Sequence, residues 1–145
     1  MRDMNKRGDS LYRKAFELAI EAYRFNISLS GPIPRQMLLR IRRATLMVKD
    51  LLGGVRNPNY SAGTISDKLT EAEAACREVL QILRKLQLSG MNEQRRLKLI
   101  SSYQSLSRKI GKEKARLTDT RKGFLLPFAS NQTGDSEPIP FTLQP

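Results

Sequence analysis

The sequence contains no histidine, no tryptophan and one cysteine, Cys76. Without histidine there is no Ser-His triad, no Cys-His dyad and no Glu-x-x-His pair of the kind that holds di-iron centres in helical bundles. A lone cysteine forms no internal disulfide, which fits a reducing, cytoplasmic setting. There is no CxxC, no P-loop and no GxGxxG. The carboxylates Glu71, Glu73 and Glu78 do not share one helical face, so they suggest no metal site. Nowhere do about 18 apolar residues run together, so no transmembrane helix and no membrane partner is expected. The opening MRDMNKRGDS is polar and has no apolar signal core. Acidic residues are scarce as well: 14 Asp+Glu stand against 26 Lys+Arg, a formal net charge of +12. These absences favour a protein that works by binding, with no catalytic residue, no metal ligand and no cofactor.

What is present is helical periodicity. Leu11, Ala15, Leu18, Ala22, Phe25 and Leu29 follow a 4, 3, 4, 3, 4 spacing over residues 10–29, the signature of an amphipathic helix. A second apolar row, Tyr12, Phe16, Ile20, Tyr23 and Ile27, lies beside it, so this face is wider than one seam needs. Ser30-Gly31-Pro32 stops helix 1. Helix 2 is expected over residues 34–52, with Met37, Ile41, Ala44, Val48, Leu51 and Val55 on its stripe. The loop GGVRNPNYSAG, residues 53–63, is the longest internal connection. Helix 3 is expected to start at Thr64, whose spacing to Asp67 is that of a capping box. Its stripe is Ile65, Leu69, Ala72, Cys76, Val79, Leu83 and Leu86, and Ser89-Gly90 closes it. Cys76 therefore reads as a buried, inert thiol. Asn92 is placed as the cap of helix 4, which carries Leu99, Tyr103, Leu106, Ile110 and Leu117 and fades near Thr118.

Two of the three connections are very short, which makes neighbouring helices antiparallel. The expected fold is all-α: an up-down-up-down four-helix bundle over residues 10–117. An extension, 1–9, precedes it, and a Pro-rich mobile or docked tail, 118–145, follows. Phe124-Leu125-Leu126-Pro127-Phe128 in that tail is an apolar clip for a neighbouring subunit or partner, or simply part of a disordered end.

The positive charge is unevenly spread. Helix 2 carries Arg35, Arg40, Arg42, Arg43 and Lys49 against Asp50, a net of +4. Helix 4 carries Arg95, Arg96, Lys98, Arg108, Lys109, Lys112, Lys114 and Arg116 against Glu93 and Glu113, a net of +6. Helix 3 is neutral and helix 1 nets +1. Arg35, Arg42 and Lys49 recur every seven residues, and Lys98, Lys109, Lys112 and Arg116 line one side of helix 4. Such stripes suit phosphates along a nucleic-acid backbone. No aromatic residue is interleaved with them, which favours backbone or shape recognition over base stacking. Ordinary solvated faces mix both signs, as helix 3 does. A further reading of the charge stays open, a helical adaptor whose basic surface meets an acidic protein; attachment to anionic lipid is the weaker one, because apolar residues are absent among the basic stripes.

Two stretches carry a family resemblance. Helix 2 reads Ile33-Pro34-Arg35, then Leu39-Arg40-Ile41-Arg42-Arg43-Ala44-Thr45-Leu46 and Leu51-Leu52. A leucine-rich helix, a short turn and a helix containing Ser107-Arg108-Lys109-Ile110-Gly111-Lys112 follow. This order, over residues 10–117, resembles the four-helix-bundle family of proteins encoded in 23S ribosomal RNA intervening sequences. It is most similar to the branch called accessory variability determinant, found in diversity-generating retroelements. The ribosomal branch has an Asn-x-Ala-Glu-Gly run after helix 2, where this chain has Leu51-Leu52-Gly53-Gly54. The resemblance implies a homopentameric ring of bundles that binds nucleic acid through a basic surface. It also implies association with a reverse transcriptase, supporting mutagenic copying of a template RNA, with DNA a second possible ligand. By position, the basic residues implied are Arg35, Arg40, Arg42 and Arg43 on helix 2 and Arg108, Lys109 and Lys112 on helix 4. An ion pair between Arg42 or Arg43 and a helix 3 carboxylate is the structural alternative.

Overall fold

A computed structural model describes the backbone of residues 2–29 and 33–129, and the side chains of 6, 8–29 and 33–118. It contains four α-helices and, among the described residues, no strand: α1 (Arg2–Ser28), α2 (Arg35–Val55), α3 (Ala62–Lys85) and α4 (Gly90–Ala129). The chain divides after Lys114 into two compact units. The first is an antiparallel four-helix bundle. The described part of the second is the final stretch of α4, including a buried Leu117.

Direct contacts establish the order of the helices. Asn26 near the end of α1 donates to the Leu38 carbonyl in the first turn of α2, at 3.1 Å. At the other end Asp9 meets Arg56, just past α2, at 3.5 Å. Arg40, early in α2, reaches Glu78, late in α3, at 3.6 Å. Arg96, early in α4, donates to the Leu83 carbonyl of α3, while Lys114 reaches back to Glu73 at 2.6 Å. Ser28 and Asn92 join α1 to α4. Each helix therefore runs against its predecessor, and the first meets the fourth.

The core follows the heptad stripes because each stripe presents one continuous apolar face to its neighbours. All six stripe residues of α1 and all seven of the α3 stripe are buried. Cys76 is among them, and burial pushes its thiol up to about 12, with Glu73 adding to the effect. Leu99, Tyr103, Leu106 and Ile110 complete the core from α4. On α2 the stripe shifts by one residue at its end: Leu52 is buried and Leu51 half-buried, as is Met37.

The helix ends depart from expectation for identifiable reasons. Gly53 and Gly54 lie inside α2, not in a loop. They are contact residues: a Cβ on Gly53 would stand 3.3 Å from the Tyr12 ring, and one on Gly54 would stand 3.0 Å from the Lys68 stem. The cap of α3 is Ser61, whose hydroxyl accepts from the Thr64 backbone N–H at 3.1 Å, so Thr64 and Asp67 are already inside the helix. α3 ends at Lys85, but Leu86 stays buried in extended backbone, so the apolar rhythm outlasts the helix. Gly90 opens α4 with φ +63, a left-handed conformation that glycine adopts freely. Asn92 is inside α4 and accepts from Ser28 instead of capping. α4 also runs on to Ala129, past the fading of its periodicity at Thr118. α1 likewise starts at Arg2, ahead of the expected Ser10. The stop at Ser30-Gly31-Pro32 and the side chains of the Phe124–Phe128 segment lie outside the described residues.

Candidate nucleic-acid interface

The basic residues of α2 divide between two flanks. Arg42 and Lys49 face α1, where the second apolar row of that helix remains outside the core: Phe16 is 44% exposed, Ile20 40%, Tyr23 53% and Ile27 56%. The Arg42 guanidinium lies 5.9 Å from the Tyr23 ring centre, and the Lys49 ammonium lies 5.9 Å from that of Phe16. Arg56 stacks on Tyr12 at 4.0 Å. The aromatic quadrupole attracts each cation, worth about 0.5–1 kcal/mol at exposed sites. Aromatics do therefore lie beside this basic stripe, contrary to the reading of helix 2 by itself. They come from another helix, and only the α1–α2 pairing brings them there.

Arg40 and Arg43 sit on the other flank, toward α3. Arg40, not Arg42 or Arg43, makes the ion pair with a helix 3 carboxylate, Glu78. Arg43 lines a groove with Met47, Ala74, Ala75, Glu71 and Glu78. Arg35 is exposed at the first residue of α2.

On α4 the cations fall into three groups. Arg96 is structural: its side chain is 13% exposed and grips Glu93 through two bonds of 2.8 and 2.6 Å. Those bonds hold the Glu93 carboxyl below its usual range. Lys114 is tied to Glu73, and Gly111 leaves room for that carboxylate, since a Cβ there would stand 3.1 Å from its Oε2. Arg95 and Lys98 line a groove between α1 and α4, of about 390 Å³, together with Lys14 and Arg24 of α1. Arg108, Lys109 and Lys112 are exposed, and none is ion-paired among the described residues. Arg116, exposed too, belongs to the second unit.

Lys14, Arg24 and Arg56 were not singled out by the charge pattern. Helix 1 nets only +1 because Glu17 and Glu21 offset its cations, so a segment sum hides them. Among the described residues no three acidic, Cys or His side chains could hold a metal ion, and no helix is long and apolar enough to cross a membrane. Compared with protein-family models, with characterised proteins and with solved structures, the chain matches none.

Proposed function

We propose that this protein is a non-catalytic nucleic-acid-binding accessory subunit, cytoplasmic, that scaffolds a reverse transcriptase on its template RNA for mutagenic cDNA synthesis. The observation that carries the binding part is the exposed, unneutralised cluster Arg108, Lys109 and Lys112 on α4, near in sequence to residues whose charges are spent on structure. The retroelement part rests on the family resemblance. Cations that already hold a carboxylate release no counterions on meeting a phosphate, whereas free ones do. The test is binding of a structured RNA and a matched DNA duplex across a salt series. Replacing Arg108, Lys109 and Lys112 by Glu weakens binding to every sequence and lowers the slope of log K against log salt, by up to about 2 to 3 for a duplex. An unchanged slope refutes the assignment.

The exposed apolar row of α1 favours assembly, which the resemblance implies as five copies. With Leu46 of α2 it forms an apolar face that has Arg42 at its rim beside Lys49, which is paired with Asp50. The groove on the other flank of α2 is apolar too and has Arg43, Glu71 and Glu78 at its rim, Glu78 being paired with Arg40. Two unlike apolar faces on one chain support a head-to-tail ring. A monomeric mass at micromolar concentration rules this out. The same apolar face favours the second reading, a helical adaptor, whose mark is tight capture of a protein partner with no measurable nucleic-acid affinity.

A further inference from the structure

Lys14 and Arg24 on α1 face Arg95 and Lys98 on α4 across the groove of about 390 Å³, and Glu17 and Glu21 stand among them. Its floor is formed by Leu18, Phe25 and Leu99, all buried. Both glutamates are exposed, and neither is ion-paired among the described residues, although four cations line the same groove.

A site made for phosphate alone gains nothing from two carboxylates, since each repels the ligand. An ionised carboxylate only accepts hydrogen bonds. The ligand suited to this groove carries phosphates and hydrogen-bond donors close together. Glu17 and Glu21 are one helical turn apart, so they present two acceptors in a row along the groove. An RNA backbone offers a 2′-hydroxyl donor at every nucleotide beside its phosphates, and DNA offers none. Arg and Lys take the phosphates, Arg in bidentate fashion.

We infer that the α1–α4 groove reads the sugar: Lys14, Arg24, Arg95 and Lys98 hold phosphates, and Glu17 and Glu21 accept from ribose 2′-hydroxyls, so the protein prefers RNA to DNA. Ser102, which also lines the groove, adds a neutral donor to phosphate. The inference rests on the nucleic-acid reading above and extends it from charge to chemistry.

Three single strands of one sequence test it: RNA, DNA and 2′-O-methyl RNA. The wild-type protein should bind the RNA about tenfold more tightly than either of the others, since a hydrogen bond to a charged acceptor is lost in both. The double variant Glu17→Ala, Glu21→Ala should bind DNA more tightly than wild type, because repulsion is gone, and its RNA preference should collapse to about onefold. Arg95→Ala with Lys98→Ala should weaken RNA and DNA alike. A wild-type protein that binds all three strands equally overturns the inference, as does a Glu17, Glu21 variant that keeps the wild-type ratio. In both cases the proposed function survives if charge reversal at Arg108, Lys109 and Lys112 still lowers the salt slope. Failure of the wild-type protein to bind any strand at low salt overturns both.

Discussion

Replacing Tyr103 by Phe should stabilise the bundle. Tyr103 is 0% exposed and is the largest fully buried side chain of the core. Its hydroxyl finds no hydrogen-bond partner among the described residues. A hydroxyl buried without a bond costs about 1–3 kcal/mol relative to water. Phe keeps the ring in the same place and removes only that oxygen. The space left behind is small, so the net gain should be about 1 kcal/mol, or roughly 3–5 °C in Tm for a domain of this size. Urea melts followed by far-ultraviolet circular dichroism measure it, and the m-value should not change. Tyr103→Ala is the control and should lose about 3–5 kcal/mol to the cavity. Alkaline pH gives a second readout. Burial, and then the nearness of Cys76, push the Tyr103 phenol above its ordinary range. A raised pKa contributes stability that is complete below the unfolded-state value and is lost as pH rises past it. Tyr103→Phe should therefore flatten the alkaline limb of the stability curve. A loss of 1 kcal/mol or more in Tyr103→Phe would refute the reasoning, because the hydroxyl would then have a bond to lose.

Gly54→Ala should raise stability by about 0.5–1 kcal/mol, since the residue is helical and the atom it approaches is the flexible Lys68 stem; thermal melts read the gain. Glu93→Gln should lower stability at neutral pH and remove an acid-dependent component. The Glu93 carboxyl is depressed by its bond to Arg96, so its contribution is present above the unfolded carboxylate pKa and fades as pH falls through the folded one. Melts from neutral to acid pH should show wild type and variant converging at the acid end. Phe16→Glu with Tyr23→Glu, at exposed positions, should leave the helical content intact while converting any assembly to monomer by light scattering, because the apolar face of α1 and α2 is broken.

The fold was legible because each helix repeats its apolar residues at heptad spacing: every stripe residue of α1 and α3 is buried, with Ala19, Ala75, Leu80 and Ile82 buried beside them. The ends were harder to read, for physical reasons. Leu86 is apolar and buried whether or not its backbone is helical. Gly53 and Gly54 look like breakers, but both are helical, and at Gly53 the bare backbone admits the Tyr12 ring, a requirement set by another helix. At the candidate interface, Lys109 and Lys112 could be found from charge and period, and Arg108 from the charge of helix 4 and the resemblance. The division of α4 cations could not. Arg96 and Arg95 are adjacent, yet one is clasped by Glu93 and the other lines an open groove. The cation–aromatic pairs of α1 and α2 and the groove cations Lys14 and Arg24 join residues distant in sequence, which no segment sum displays.

The α1–α4 groove has one lip from the first helix and one from the fourth. Every other helix pairing joins neighbours along the chain, so this seam closes the bundle and has the longest loop to close. A chain that has folded two or three helices has one lip and no groove. If nucleic acid binds across the seam as inferred, it counts only complete bundles, and holds them complete by the free energy of its own binding, about 2.7 kcal/mol at a hundredfold excess over Kd. The RNA would then act as a latch on the last step of folding.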